Sequence, residues 1–304
     1  MLKVILLGCG RWGANHLRIL CGLRDSGLIG EVIVVDPAIK SANGADKLTA
    51  SIQGLHADLV IIATPSELHA QQARELMAEG YHVLVEKPLG CCESEAAQVL
   101  ATAHEYGRVL GVGLLLRFHP AVQMGKTMLT NGTIGRLEAL RFVRRTTRNP
   151  PINGNVIESL GVHAIDLMCH FMAEAEPSAS SVEGDKTDAR IVLEFPHGIE
   201  AIIAVAWQAS QERRTVTLVG SNASLRIDLD VHDRATLIVN GEESILPCES
   251  NQSPLEAEIR HFISAVESHN AGTALQPIPD HGAALRGVRW TARIIESMRI
   301  HQPH

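Results

Sequence analysis

The chain has 304 residues, of which 45% are hydrophobic and 20% charged, with a formal net charge of −7. Its length exceeds that of most single cores, so two domains are expected, and its apolar content excludes an intrinsically disordered chain. The negative balance and the 3% aromatic content exclude a general nucleic-acid binder, which needs a basic surface or a stacking platform.

Five continuous apolar runs stand out in the first third: KVILLG (3–8), EVIVVD (31–36), ADLVIIAT (57–64), HVLVEK (82–87) and RVLGVGLLL (108–116). Such runs predict strands buried on both faces. Residues 65–80 and 92–107 carry helical periodicity, so the strands belong to βαβ units of a parallel sheet. The segment between Pro37 and Leu55 is short and polar, and the second crossover is expected to be abbreviated. After Arg117 the texture changes. A helix (PAVQMGKTMLTNG) is followed by alternating strands: LEALRFVRRT, ARIVLEF, IEAIIAVAW, TVTLVG, SLRIDL and ATLIVN. FPHGIE and GSNAS read as hairpin connections, so the second domain is α+β with a largely antiparallel open sheet. The tail from about 280 to 299 is a long helix, expected to pack back on the first domain.

No apolar run approaches the roughly 18 residues that a membrane span needs, so no membrane association is expected. The six cysteines show no CxxC pairing or disulfide-framework spacing. Reduced thiols in a soluble, cytoplasmic protein are the expectation.

GCGRWGAN begins directly after the first strand and leads into a helical pattern. Gly8, Gly10 and Gly13 thus have GxGxxG spacing in a strand–turn–helix context, with Arg11 and Trp12 inside the turn. The first glycine permits the tight turn, the second lets a pyrophosphate approach the backbone, and the third lets helix and strand pack closely. A doubly wound, dinucleotide-binding Rossmann domain over 1–118 follows, with a substrate-binding and oligomerisation domain over 119–304. Asp36 ends the second strand, where a carboxylate can accept both ribose hydroxyls and repel a 2′-phosphate. No arginine immediately follows it, and Lys40 is the only nearby cation. NAD is therefore expected in preference to NADP.

In such a sheet, ligands bind beyond the carboxyl ends of the strands. ATPSELH (63–69), EKP (86–88) and LRFHP (116–120) lie at those ends. Lys87 there can present an ammonium to a substrate oxygen and stabilise negative charge on it during hydride transfer. The bland alternative is a surface lysine paired with Glu86. Together with the glycine turn, ATPSELHAQQARELMAEGYHVLVEKPL, RFHPAV and GVHAIDL resemble the Gfo/Idh/MocA family of nicotinamide-dependent sugar oxidoreductases. Within it the chain is most similar to the branch that oxidises the 3-hydroxyl of UDP-N-acetylglucosamine.

The resemblance implies a hydride transfer between NAD and a secondary hydroxyl or ketone of a sugar or nucleotide-sugar, in a homodimer or homotetramer. It assigns Lys87 and His163 to catalysis and Thr64, Pro65 and His69, beside Glu86 and Lys87, to the nicotinamide side. Arg117, with His163, falls near the substrate. A reductase of another carbonyl or imine, or an NAD-binding sensor without turnover, are the competing readings.

His163 belongs to a polar stripe, Ser159, His163, Asp166 and His170, in an otherwise apolar helix. Histidine titrates near neutral pH and suits removal of a hydroxyl proton. The stripe could instead be polar groups that satisfy one another, and the two-turn separation of His163 from His170 argues against a metal site. Relatives usually carry an aspartate four residues before the histidine, where this chain has Ser159. Glu158 is rotated about 100° from that position. Glu158, Ser159 and Asp166 are all candidates to support His163, and Asp166 could equally pair with Arg141 or Arg144. The basic run RFVRRTTR (141–148) could meet phosphates or be a solvated strand end. Trp207 with Arg213 and Arg214 could approach the substrate, or Trp207 could simply end a strand half-buried.

Overall fold

The computed structural model describes residues 1–300 except 153, 251 and 274; residues 301–304 of the expected second domain lie outside the described residues. The first third alternates strand and helix: β1 (Val4–Leu7), α1 (Gly13–Asp25), β2 (Val32–Val35), β3 (Lys47–Thr49), β4 (Leu59–Ile62), α2 (His69–Ala78), β5 (His82–Glu86), α3 (Glu93–Glu105) and β6 (Leu110–Gly113). All six strands pair in parallel in the order β3-β2-β1-β4-β5-β6. The order reverses direction between β1 and β4, the switch point of a doubly wound sheet. The four strands β1, β2, β4 and β5 are buried almost throughout, which is why they read as unbroken apolar runs. The polar segment before Leu55 holds β3, a three-residue edge strand. Its paucity of apolar residues fits an edge, where one side goes unpaired.

The chain continues through α4 (Pro120–Thr130), β7 (Leu137–Arg145), α5 (Val162–Phe171), β8 (Ala179–Gly184), β9 (Asp188–Phe195), β10 (Ile199–Ala206), β11 (Arg213–Gly220), β12 (Ser224–Asp228), β13 (Arg234–Val239) and β14 (Glu242–Pro247). These strands form one eight-stranded sheet in the order β14-β13-β12-β11-β7-β10-β9-β8. Six of its seven pairings are antiparallel, and β7 with β10 is parallel because α5 and the β8–β9 hairpin intervene. Leu140, Phe142, Val216 and Leu218 point to one face, where they share a core with Ala164, Ile165 and Met168 of α5.

Two helices complete the described chain: α6 (Pro254–Asn270) and α7 (His281–Ile300). The compact units are not contiguous in sequence. One comprises Met1–Leu114 with Leu255–Val288, the other Leu115–Pro254 with the chain from Arg289 onward. The expected division at 118/119 therefore differs from the observed one for α6, which sequence periodicity did not reveal. Its Ile259, Phe262, Ile263 and Val266 pack with Leu6, Val34 and Ile61 in the core of the parallel sheet. Gly111 makes room for it, since a Cβ there would lie 2.7 Å from the Phe262 ring. Along α7, Ala284 and Val288 belong to a core of the first unit, and Trp290, Ile294 and Ile295 to the core of the second.

Candidate functional site

In the first unit the C-terminal edge of the parallel sheet collects the chemistry. Gly8 has φ +86°, and a Cβ there would approach the Ala63 carbonyl to 2.8 Å; one at Gly13 would lie 2.2 Å from the Gly8 oxygen. Both positions admit only glycine. Gly10 is exposed, with nothing within 4 Å of its Cβ position, so the turn is open on the side from which an anion approaches α1. Arg11 is likewise exposed in this turn. Asp36, just past β2, accepts from the Cys9 amide (2.8 Å) on one oxygen and the Ala38 amide (2.8 Å) on the other. Each carboxylate oxygen can accept more than one bond, so the group is fixed in place while keeping lone pairs for a diol. A cavity of about 330 Å³ opens at the same edge, lined by Leu7, Val35, Pro37, Ile52, Gln72 and Leu76 among others.

Thr64 follows β4 and donates its hydroxyl to Gln72 Oε1 (2.6 Å), and Pro65 opens the short helical turn that leads into α2. His69 is 2% exposed; its Nδ1 lies 2.9 Å from the Pro88 oxygen and its Nε2 2.9 Å from the Thr64 oxygen. It stitches the turn after β4 to the turn after β5. A neutral ring donates to one of these two carbonyl oxygens, and its tautomer decides which.

Glu86 closes β5 and is 6% exposed. Its Oε1 accepts from Trp12 Nε1 and lies 2.7 Å from His16 Nε2, and its Oε2 accepts from the Lys87 amide at 3.3 Å. Burial alone would raise its pKa, but His16, Trp12 and Lys87 outweigh that and hold it below the usual carboxylate value. The carboxylate so links α1 to the peptide that presents the partly exposed Lys87. His16 was legible in principle, four residues after Trp12 and hence on the same helical face. Glu258 of α6 was not. It is 1% exposed, neither carboxyl oxygen has a hydrogen-bond partner among the described residues, and burial together with the Glu86 charge pushes its pKa well up.

In the second unit, His163 lies in the first turn of α5 and is 6% exposed. The helix enters through a π-turn over Ile157–Gly161, in which the Val162 amide donates to the Ile157 oxygen five residues back. This extra residue per turn breaks the constant angular step assumed for the stripe. Glu158 is exposed and Ser159 partly buried.

In the lower part of the stripe Asp166 pairs with an arginine, one of the two roles open to it. Asp166 accepts from Arg117 Nε (2.9 Å) and Nη2 (2.7 Å), so it neutralises that arginine. The partner is neither Arg141 nor Arg144. Arg117 also donates from Nη1 and Nη2 to Glu174 (2.9 and 3.0 Å), and its Nη1 lies 3.3 Å from His170 Nδ1. Four of the five guanidinium N–H groups thus point at carboxylate oxygens of Asp166 and Glu174. Arg117 is a buried tie between the turn before α4 and the end of α5. Glu174 is held far below the ordinary carboxylate range: burial opposes this, and His170 and Arg117 overcome it. Asp166 and His170 both belong to this network.

A switch-point sheet with a glycine turn, a carboxylate just past the second strand and a strand-end lysine defines a Rossmann-type oxidoreductase. The sequence matches the Gfo/Idh/MocA oxidoreductase family, NAD-binding Rossmann fold, over residues 2–114, and that family's C-terminal domain over residues 122–226. The chain belongs to this family, and its cofactor is NAD. It is 26% identical over 293 residues to the uncharacterized oxidoreductase YrbE of Bacillus subtilis, covering 86% of this chain and 85% of that protein. It is 27% identical over 258 residues to an inositol 2-dehydrogenase of Mycolicibacterium smegmatis, covering 76% and 73%. Among solved structures, UDP-N-acetylglucosamine 3-dehydrogenase GnnA from Acidithiobacillus ferrooxidans superposes with a TM-score of 0.83 at 22% identity, over 98% of both chains. That last likeness shows the fold.

No helix among the described residues is long and apolar enough to cross a membrane.

Proposed function

We propose that the chain oxidises a secondary hydroxyl of a cyclitol or pyranose, free or nucleotide-activated, with NAD as hydride acceptor. The observation that carries this reading is the convergence, at one sheet edge, of the open turn at Gly10, the anchored Asp36 and the strand-end Lys87. Gly8, Gly10 and Gly13 with Arg11 and Trp12 would hold the pyrophosphate and Asp36 the ribose; Thr64, Pro65 and Glu86 would shape the nicotinamide side. When bound, NAD supplies the carbon that takes the hydride.

Lys87 donates a hydrogen bond to the reacting oxygen and stabilises the charge that grows there as the C–H bond breaks. His163, neutral, takes the hydroxyl proton, and it returns that proton when the reaction runs as a reduction. Glu86, clamped by Trp12 and His16, fixes the peptide that carries Lys87. The name of the Mycolicibacterium relative favours a cyclitol, and the GnnA likeness brings in a nucleotide-sugar only through the shared fold.

Following NADH formation across myo-inositol, free hexoses and UDP-N-acetylglucosamine tests the reading. Lys87→Ala should cost about 100-fold or more in kcat, and His163→Ala should flatten the acid limb of the pH–rate profile. Binding of NAD with no turnover on any of these substrates, and no response to either change, would overturn it in favour of a sensor. Ser159, standing where relatives have an acid, is what keeps the sensor as the second reading. The open face of the eight-stranded sheet is proposed to pair with a second copy of the chain, which light scattering on the eluting protein checks.

A further inference from the structure

In the register of β7 and β11, Arg144 stands directly opposite Arg214, and Arg145 opposite Arg213. Like charges facing each other across an antiparallel pair are destabilising. The second pair is exposed, where water and salt screen it. The first is not so placed. Arg144 follows Phe142 by two residues and Arg214 precedes Val216 by two, so both point to the helix-covered face, in line with the buried Phe142 and Val216. That face also carries α5, whose Ala164, Ile165 and Met168 share its core.

The nearby carboxylates do not resolve the repulsion. Arg144 is partly buried and makes no hydrogen bond or ion pair with any described residue. Arg214 bonds to Asp230 through Nη1 (2.6 Å), but its Nε is buried with no partner. Asp230 is 54% exposed, so that pair is screened. The other carboxylate, Glu212, turns its Oε1 to the hydroxyls of Thr146 and Thr147 and to the Thr147 amide. Arg148 adds a third guanidinium, whose Nε donates to Thr146 Oγ1 (3.1 Å). Burial, then Arg214 and Arg148, pull the Arg144 pKa down to about 9, which still leaves it charged at neutral pH. The fully buried His119 is held near 4 by burial, with His232 and Arg214 adding to the effect, and it contributes no positive charge of its own there.

We propose that Arg144 and Arg214, with Arg148 beside them, bind a phosphoryl oxyanion carried by the substrate. A phosphoryl group offers several oxygens and up to two charges, enough for two guanidinium forks at once. A lone carboxylate would neutralise one and leave the other. The site deepens the proposed function and rests on it for one point only, that the anion belongs to the substrate.

The test uses the whole chain saturated with NAD, so that the glycine turn is already occupied. Thermal unfolding is followed against inorganic pyrophosphate, inorganic phosphate and glucuronate, with potassium chloride at matched ionic strength. The phosphates should raise the midpoint saturably and the chloride should not. Arg144→Leu should unfold at or above the wild-type midpoint without anion, because a repelled charge is gone, and should weaken pyrophosphate binding at least tenfold. Arg136→Leu, exposed before the start of β7, should keep the wild-type response. An Arg144→Leu protein that is less stable and still protected by pyrophosphate overturns the site, and so does wild-type protein that phosphate fails to protect. Protection by glucuronate in preference to phosphate overturns the phosphoryl assignment. None of these readouts requires turnover, so failure of the dehydrogenase reading and failure of the anion site are distinguishable. If Arg144→Leu does not fold, Arg144→Lys, which keeps the charge and loses the fork, should still show weakened pyrophosphate binding.

Discussion

Replacing Asp166 by Asn separates two roles for the stripe on α5. The Arg117 and Asp166 side chains are 4% and 2% exposed, so the change strands an arginine away from water. Removing one partner of a buried pair typically costs 3–5 kcal/mol; here about 3 kcal/mol is expected, because Glu174 still accepts two of the Arg117 N–H groups. The double change Arg117→Met/Asp166→Leu should recover most of that loss, since neither charge is then left uncompensated. Urea unfolding followed by tryptophan fluorescence reports the right region, as Trp207 and Trp290 both sit in the second unit's core. The midpoint for Asp166→Asn should fall markedly, while the basic group seen in the pH–rate profile keeps its pKa. An unchanged midpoint with a shifted pH–rate profile would show that Asp166 acts on His163, and would refute the reading of the network as a structural tie.

Gly13→Ala should destabilise the first unit and abolish NAD binding, whereas Gly10→Ala should fold normally and lose NAD affinity alone, as circular dichroism and cofactor titration will show. His82 and His119, both buried, have pKa values lowered from 6.5 to about 4, so stability is complete above 6.5 and is lost as pH falls toward 4. A fall of that size corresponds to roughly 3 kcal/mol per histidine. Urea midpoints at pH 7, 5.5 and 4.5 should therefore drop steadily; a flat series refutes the assignment. Glu258, whose pKa is raised, costs stability as pH rises above its unfolded value of 4.5. Glu258→Met should thus be more stable than the parent at pH 8, with the difference shrinking toward pH 4.5 in the same assay.

Several features needed nothing beyond local sequence. The buried parallel strands, the glycine turn and the strand-end positions of Asp36 and Lys87 depend on short-range patterns: unbroken apolar runs, a fixed spacing and the residues that end each run. Tertiary structure decided the rest. Whether α6 belonged to the first unit depended on which sheet face its apolar stripe would cover, a long-range choice that Gly111 and Phe262 make together. The stripe Ser159–His163–Asp166–His170 looked uniform because periodicity records which face a residue occupies and not what stands opposite. Only the fold brings Arg117 to Asp166 across 49 positions of chain and sets Arg144 against Arg214. Charge pairing is decided by strand register and helix docking, and neither is written in any local window.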